Sequence, residues 1–183
     1  MTAVEIRRAL AADRPALARM LELYQHDLSD IWDQDLDPRG EYGYELDRFW
    51  TDPACHPFVA LVGGCYAGFA LVDRAAKVGD VAYWMDQFFV LKKYRRAGVG
   101  RALANEVIAQ LPGRWEVGQM TANEGARVFW RRVIGDFTGG DYTEHPLTNG
   151  WWQGTVQCFA SVAPVPAVEP PAPPVRLLNR SLH

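Results

Sequence analysis

The sequence predicts an α/β fold, in which one domain spans residues 1–160 and a tail covers residues 161–183. Apolar residues alternate with polar ones in some segments, which is typical of half-buried strands, and recur every three or four residues in others, which is typical of amphipathic helices. A chain of 183 residues with 49% hydrophobic side chains can also bury a sizeable core without disulfide bonds. We therefore expect a single domain of packed strands and helices.

The N-terminal segment predicts a strand followed by a helix. Apolar and polar residues alternate from Val4 to Arg7. Asp13 is placed to cap a helix whose first turn contains Pro15, which is tolerated there because its missing N–H has no intrahelical partner. Apolar residues at three- and four-residue spacing then form one helix face, which we interpret as a core stripe. They are Leu17, Met20, Leu21, Tyr24 and Leu28.

An acidic segment follows from Asp27 to Asp47. It contains eight acidic residues and a single basic one, Arg39. The sequence from Asp37 to Gly40 contains the proline and glycine that favour a turn between two short helical pieces. We expect an acidic, loop-rich insertion.

The middle of the chain predicts three strands. Two apolar runs, from His56 to Val62 and from Cys65 to Val72, are joined by two glycines that suit a tight hairpin turn with positive φ. The run from Val81 to Leu91 is longer and aromatic, as expected for a central strand that is covered on both faces.

The C-terminal half alternates between helical and strand patterns. The predicted elements are a helix from Val99 to Leu111, a strand from Arg114 to Thr121, a helix from Asn123 to Val133, and two strands, Phe137 to His145 and Gly150 to Ala160. From Ser161 onward the chain contains six prolines and no periodicity, so we expect a disordered tail.

Composition argues against several functional classes. The net charge of −3 gives no global attraction to nucleic acid. No run of about 18 apolar residues occurs, and the N-terminus lacks the pattern of a signal peptide. Cys55, Cys65 and Cys158 form neither a CxxC pair nor a zinc-type cluster with histidine. We expect a cytoplasmic protein that uses no metal and has neither nucleic acid nor membrane as a partner.

One stretch has the pattern of an anion-binding site. A strand that ends near Val90 leads into Arg95-Arg96-Ala97-Gly98-Val99-Gly100, which opens a helix. Glycines let the backbone approach a ligand closely, and the first amides of a helix are unpaired donors at the positive end of its dipole. Residues 92–132 also carry nine basic and three acidic side chains. A pyrophosphate would fit this turn.

Two common phosphate-binding motifs do not match the turn. Gly100 is followed by Arg101-Ala102 rather than by the Lys and Ser/Thr of a Walker loop. Leu103 stands where a dinucleotide fingerprint needs its third glycine. ATP, GTP and NAD are therefore disfavoured.

The turn instead resembles the Arg/Gln-x-x-Gly-x-Gly/Ala signature of the GNAT superfamily of N-acetyltransferases, in which backbone amides hold the pyrophosphate of coenzyme A. Asn123-Glu124-Gly125-Ala126 stands where the family has an Asn-x-x-Ala motif, and the order of elements is similar from Val4 to Ala160. The resemblance implies the GNAT fold, a mixed and mostly antiparallel sheet of about six to seven strands flanked by helices. It also implies acetyl transfer from acetyl-CoA to a primary amine.

Residue by residue, the resemblance assigns a cofactor site and candidate catalytic groups. The backbone N–H of Val90 matches the donor to the thioester oxygen. Gln87 replaces the glutamate that often serves as base, which leaves Asp86 as the nearest carboxylate, on the opposite face if the strand alternates. Trp130 replaces the tyrosine that commonly protonates the thiolate, and Tyr142 is a substitute. The cofactor-binding positions are Phe88, Phe89, Val90, Arg95, Arg96, Ala97, Gly98, Val99, Gly100, Arg101, Asn123 and Trp130.

The acidic segment indicates the chemistry of the acceptor. Asp30, Asp33, Asp35 and Asp37, interleaved with Trp32, resemble a rim that attracts a cation. We expect the acceptor to be a small cationic amine or the amine of a larger positively charged molecule, and the protein to be a monomer or a homodimer.

The missing glutamate and tyrosine leave a second function open. A GNAT-fold protein without these groups could bind acyl-CoA without transferring the acyl group, and act as a sensor or a partner-binding module. A third alternative, nucleic-acid binding through the basic half, has only a charge excess in its favour.

Overall fold

The structure is a computed structural model that describes residues 3–150 and 152–162. Its strands form one open sheet in the order β1-β2-β3-β4-β5-β7-β6. The strands are β1 (Val4–Arg8), β2 (His56–Val62), β3 (Cys65–Asp73), β4 (Tyr83–Val90), β5 (Gly113–Met120), β6 (Tyr142–Leu147) and β7 (Gly154–Ser161). The helices are α1 (Arg14–Trp32), α2 (Arg48–Thr51), α3 (Val99–Gln110) and α4 (Glu124–Thr138).

The sheet is mixed, because β4 and β5 are parallel whereas the other neighbouring strands are antiparallel. The predicted fold class, a mostly antiparallel sheet flanked by helices, is therefore confirmed. In the described part of the chain, no helix has both the length and the apolarity needed to cross a bilayer.

Helices cover both faces of the sheet, and each face has its own core. On one face Leu17 and Leu21 of α1 pack with Phe69 and Phe89 of the sheet. On the other face, buried side chains of α3 and α4 share a core with side chains of β5. The helix residues include Leu103, Val107, Ile108, Val133 and Ile134, and the β5 residues are Trp115 and Val117. Burial from both sides explains why β3 is a continuous apolar run rather than an alternating one.

Three predicted boundaries differ from the structure. The first helix enters the acidic segment and ends at Trp32, where Asp33 has a left-handed backbone (φ 51°). Helix α4 continues to Thr138, so the prediction of a strand starting at Phe137 was wrong. The apolar face of the helix extends by one more turn, and Gly139 then supplies the left-handed residue that ends it. The last strand starts at Gly154 and includes Ser161, and the predicted tail beyond residue 162 lies outside the described residues.

We predict that Gly68→Ala lowers the free energy of unfolding by about 2 kcal/mol or more. Gly68 lies opposite Val90, and a Cβ atom there would come within 2.4 Å of the backbone oxygen of Phe89. Urea unfolding measures the loss. Gly125→Ala is the control, because a Cβ in the first turn of α4 would meet nothing within 4 Å. It should leave stability unchanged or raise it by up to about 1 kcal/mol, and equal stability of the two variants would contradict the packing described here.

Candidate active site

The candidate site is a gap in the sheet between β4 and β5. These strands pair only through Tyr83 with Trp115 and Trp84 with Glu116, and then diverge. Beyond this point β5 remains paired with β7, and β4 remains paired with β3 as far as Val90. Within the described residues, the edge of β4 that faces β5 therefore has no strand partner over most of its length.

Backbone donors of β4 point into this gap. The N–H of Leu91 donates to the Ala67 oxygen of β3 at 2.9 Å. Because successive N–H groups of a strand point to opposite edges, the N–H groups of Val90 and Phe88 are directed towards β5. The donor predicted at Val90 is thus placed where a ligand lying between the two strands would meet it.

A β-bulge shapes the middle of β4. Leu71 is opposite Gln87 and Val72 is opposite Met85, so Asp86 is an extra residue with no partner on β3. The bulge interrupts the strict alternation that the sequence predicts, and both Asp86 and Gln87 line the gap. The buried Oε1 of Gln87 has no hydrogen-bond partner among the described residues.

The gap opens into a cavity of about 610 Å³. Its walls are the second half of α1, strands β4 and β5, and the start of α4. Among the described residues, four tryptophans line it: Trp32, Trp84, Trp130 and Trp152. Such a lining favours a ligand with apolar or flat surfaces over one that is polar on all sides.

Asp86 is held by a partly buried polar network. The hydroxyl of Tyr44 donates to its Oδ2, and Arg48 Nη2 lies 2.7 Å from the same oxygen. The other arm of Arg48 contacts Asp73 at 2.7 Å. Burial raises the pKa of Asp86 above its ordinary value, and Asp73 adds to the shift, whereas Tyr44, Arg48 and Lys77 oppose it. A raised pKa makes Asp86 a stronger base than an exposed aspartate.

The N-terminus of α3 presents free backbone donors. The first bond into the helix runs from the Ala102 N–H to the Gly98 oxygen at 3.0 Å, so the N–H groups of Val99, Gly100 and Arg101 precede it. No side chain of the described residues caps this end. Gly98 has φ +83°, and a Cβ there would meet nothing within 4 Å. The turn is therefore open towards a ligand at Gly98, whereas a Cβ at Gly100 would touch Phe129 and Val90.

The three arginines around this turn have different environments. Arg95 donates to the Val90 oxygen at 2.7 Å and forms an ion pair with Asp27 of α1, so it anchors the loop to that helix. Arg101 pairs with Asp136 of α4. Arg96 is exposed and has a left-handed backbone (φ 64°). A phosphate contact is thus easier to assign to Arg96 than to Arg95.

The aromatic positions predicted for the cofactor divide between the two faces of the sheet. Phe88 lines the cavity with its ring 4.8 Å from that of Trp130. Phe89 points to the α1 side, where it packs on Tyr24 and Phe69. Asn123 lines the cavity and caps α4, because its Oδ1 accepts from the Ala126 N–H at 3.1 Å.

Tyr142 does not line the cavity. It lies on the edge strand β6 opposite Phe159, packed near Gly135 of α4. Its position does not support the predicted role in protonating the thiolate. A tyrosine that does line the cavity is Tyr24, which the sequence analysis treated as a core residue, and burial together with Asp86 raises its pKa.

Only part of the predicted acidic rim reaches the cavity. Asp33 lines it together with Trp32, whose Nε1 donates to Met120 Sδ at 2.9 Å. Asp37 closes its own turn by accepting from the N–H groups of Arg39 (2.8 Å) and Glu41 (2.9 Å). Asp30 and Asp35 are exposed outside the lining.

Several residues of the site were not predicted from the sequence. Tyr44 and Arg48 stand at a spacing of four near the end of the acidic segment. Asp73, at the end of β3, and Asp86, within β4, are carboxylates in largely apolar strands and required such partners. That requirement was a readable signal. Lys77, Trp84 and Trp152 come from three separate segments, and the sequence held no sign that they meet.

Comparison with known proteins agrees with this geometry. The model of the acetyltransferase (GNAT) family matches residues 17–135. No curated protein matches the chain. An acetyltransferase from Thermus thermophilus superposes with a TM-score of 0.61 at 15% identity, covering 88% of this chain and 100% of that one. The PaiA N-acetyltransferase from Thermoplasma acidophilum, in complex with coenzyme A, superposes with a TM-score of 0.59 at 14% identity, covering 87% of this chain and 99% of that one. A GNAT-family acetyltransferase from Staphylococcus aureus superposes with a TM-score of 0.58 at 13% identity, covering 86% of this chain and 99% of that one.

We predict that the Asp86 carboxyl titrates above the ordinary range for aspartate, and that Tyr44→Phe raises its pKa further, because this change removes a hydrogen bond that favours the carboxylate. Carbon-13 NMR of the carboxyl carbon measures both midpoints. A folded-state pKa above the unfolded value means that Asp86 favours folding at low pH and that this contribution is lost as pH rises through the folded pKa. An unchanged or lower pKa in Tyr44→Phe would contradict the network.

Proposed function

Because this chain belongs to the acetyltransferase (GNAT) family, we propose that it transfers an acetyl group from acetyl-CoA to a primary amine. One observation carries the proposal. The unpaired edge of β4 and the uncapped N-terminus of α3 lie close together, since a Cβ on Gly100 would lie 3.5 Å from Cγ2 of Val90, and open backbone donors occur on both. Coenzyme A has a pyrophosphate for the helix end and an amide-containing arm for the strand edge.

The chain's residues fit coenzyme A in two places. The N–H groups from Val99 to Arg101 are donors for the pyrophosphate, and the open space at Gly98 lets it approach the backbone. The gap between β4 and β5 takes the arm in the manner of an added strand, with Phe88 and Trp130 against its side. Coenzyme A bound to the Thermoplasma relative supports this assignment.

The proposed chemistry is direct attack by the amine on the thioester carbonyl. A C–N bond forms, the C–S bond breaks, and the sulfur leaves as a thiolate, which takes up the proton that the attacking nitrogen releases. The Val90 N–H donates to the carbonyl oxygen as it gains negative charge. A thiol with a pKa near 8.5 gives a good leaving group, so the transfer does not depend on Tyr142.

The amine must lose a proton before it attacks. An alkylammonium with a pKa near 10.4 is only about one part in a thousand neutral at pH 7.4, which is equivalent to ~4 kcal/mol. Asp86, which lines the cavity and has a raised pKa, is the base we propose. The unpartnered Oε1 of Gln87 would accept a hydrogen bond from the same amine.

A binding protein without transferase activity is the second candidate. It is favoured by Gln87, since an amide cannot act as a base, and by the ion pair between Arg48 and Asp86, which stabilises the carboxylate against proton uptake. Mass spectrometry of amine mixtures incubated with the protein and acetyl-CoA separates the two candidates, because only the enzyme adds acetyl groups.

We propose a small cationic amine as the acceptor. The support is the position of Asp33 and Trp32 on the cavity wall, where a carboxylate and an indole face meet a ligand approaching past the end of α1. The cytoplasm is the proposed compartment, and the free thiols of all three cysteines agree with reducing conditions.

We predict that Gly98→Val weakens acetyl-CoA binding at least about tenfold, because a branched side chain would fill the space that the phosphate needs. Isothermal calorimetry measures the affinity. Gly40→Val is a matched control, since Gly40 also has a left-handed backbone (φ +79°) and open space, but lies in the acidic segment. Wild-type affinity in a folded Gly98→Val protein would remove the proposed cofactor site.

We predict that Asp33→Asn raises the KM for a cationic acceptor about threefold and removes much of its dependence on salt, because exposed charges act through a field that salt screens. The KM for acetyl-CoA should stay constant. Asp35→Asn is the control, because Asp35 is exposed outside the cavity lining. Steady-state kinetics at two ionic strengths decide the matter, and equal KM values in both variants would show that Asp33 does not act on the acceptor.

A further inference from the structure

A lysine side chain lies between two tryptophans in the wall of the cavity. The Nζ of Lys77 is 5.1 Å from the ring centroid of Trp84 and 5.3 Å from that of Trp152. Both distances are within the range of cation–π attraction. All three residues line the same cavity as Asp86 and Gln87.

The backbone of Lys77 is held in place by a buried carboxylate. Glu116, which has no exposed surface, accepts from the N–H groups of Lys77 (2.7 Å), Val78 (3.1 Å) and Gly79 (2.7 Å). Three charge-assisted hydrogen bonds to one buried side chain fix the start of this loop. The position of Lys77 is therefore set by the fold.

Two glycines make room for the indoles. A Cβ on Gly118 of β5 would lie 2.5 Å from Cη2 of Trp84 and 3.1 Å from Cη2 of Trp152. A Cβ on Gly154 of β7 would lie 2.8 Å from Cη2 of Trp152. The two ring systems can converge on one place only because neither strand carries a side chain there.

We propose that Trp84 and Trp152 form a cation subsite for the acceptor, and that Lys77 is an internal occupant displaced by an ammonium group of the acceptor. The placement of the acceptor in this cavity rests on the proposed function. The ligand class is an alkylammonium, primary or quaternary, because indole faces bind positive charge without needing N–H donors.

Charge in the cavity agrees with this assignment. Asp86 lies close enough to Lys77 for the two charges to interact, and Asp33 lines the same cavity. When an ammonium group of the acceptor replaces that of Lys77, the subsite still holds one positive charge. The attraction between this charge and the two carboxylates is therefore kept. Lys77 is exposed, so an ammonium group that takes its place would displace it towards solvent. It thus acts as a tethered competitor, which lowers the apparent affinity for the acceptor.

The experiment is calorimetric titration with choline, a quaternary ammonium, and with 3,3-dimethyl-1-butanol, its neutral isostere, in the absence of acetyl-CoA. Lys77→Met keeps an apolar stem and removes the charge, and should bind choline roughly fivefold more tightly than wild type. Lys92→Met, away from the cavity lining, should bind like wild type. Lys77→Met combined with Trp152→Leu should lose the gain, and the neutral isostere should bind weakly to every variant.

The subsite would be overturned if choline bound Lys77→Met no more tightly than wild type, or if the isostere matched choline. No transfer takes place in this titration, so its outcome is independent of the proposed function. If the protein binds choline as expected but acetylates no amine, the subsite is supported and the proposed function is wrong. If it acetylates amines but does not prefer choline to its isostere, the proposed function is supported and the subsite is wrong.

Discussion

The short pairing between β4 and β5 is the constraint on which the site depends. Two residue pairs join these parallel strands before they diverge. An unpaired strand edge inside a sheet is costly unless something satisfies its polar groups. Here the edge faces a cavity, and the same strand leads directly into a helix whose first amides are also unpaired. The structure thus keeps a row of backbone donors available for a ligand, and side chains only shape what surrounds it.

Buried carboxylates hold the two sides of the gap. On the β4 side Arg48 joins Asp73 and Asp86, so helix α2 is tied to the bulge that turns Asp86 and Gln87 into the cavity. On the β5 side Glu116 binds the loop that carries Lys77. In each network, removing one of the groups that contact a carboxylate would leave its charge with less compensation in a poorly solvated place. These networks therefore position the site as well as stabilise it.

Local pattern was enough to predict most elements and the cofactor turn, because the hairpin glycines, the helix starting at Val99 and the strand ending at Val90 are determined by nearby residues. Local pattern was not enough where contacts between distant parts of the chain determine the structure. Alternation along β4 predicts that Asp86 and Gln87 point to opposite faces. The bulge, which arises from pairing with β3, interrupts this alternation, and both residues line the cavity. The acidic segment suggested four equivalent aspartates, whereas α1 continues far enough to bring only Asp33 to the cavity. The two indoles of the subsite at Lys77, Trp84 and Trp152, come from distant parts of the chain.

The measurement that tests the central claim most directly is the change in backbone amide NMR shifts when coenzyme A is added to the protein. The account predicts the largest shifts at Val90 and at Val99 to Arg101, whose N–H groups are open to a ligand, and small shifts at Leu91, whose N–H is bonded to β3. Saturable binding that leaves Val90 and the start of α3 unperturbed, while shifting amides elsewhere, would contradict it.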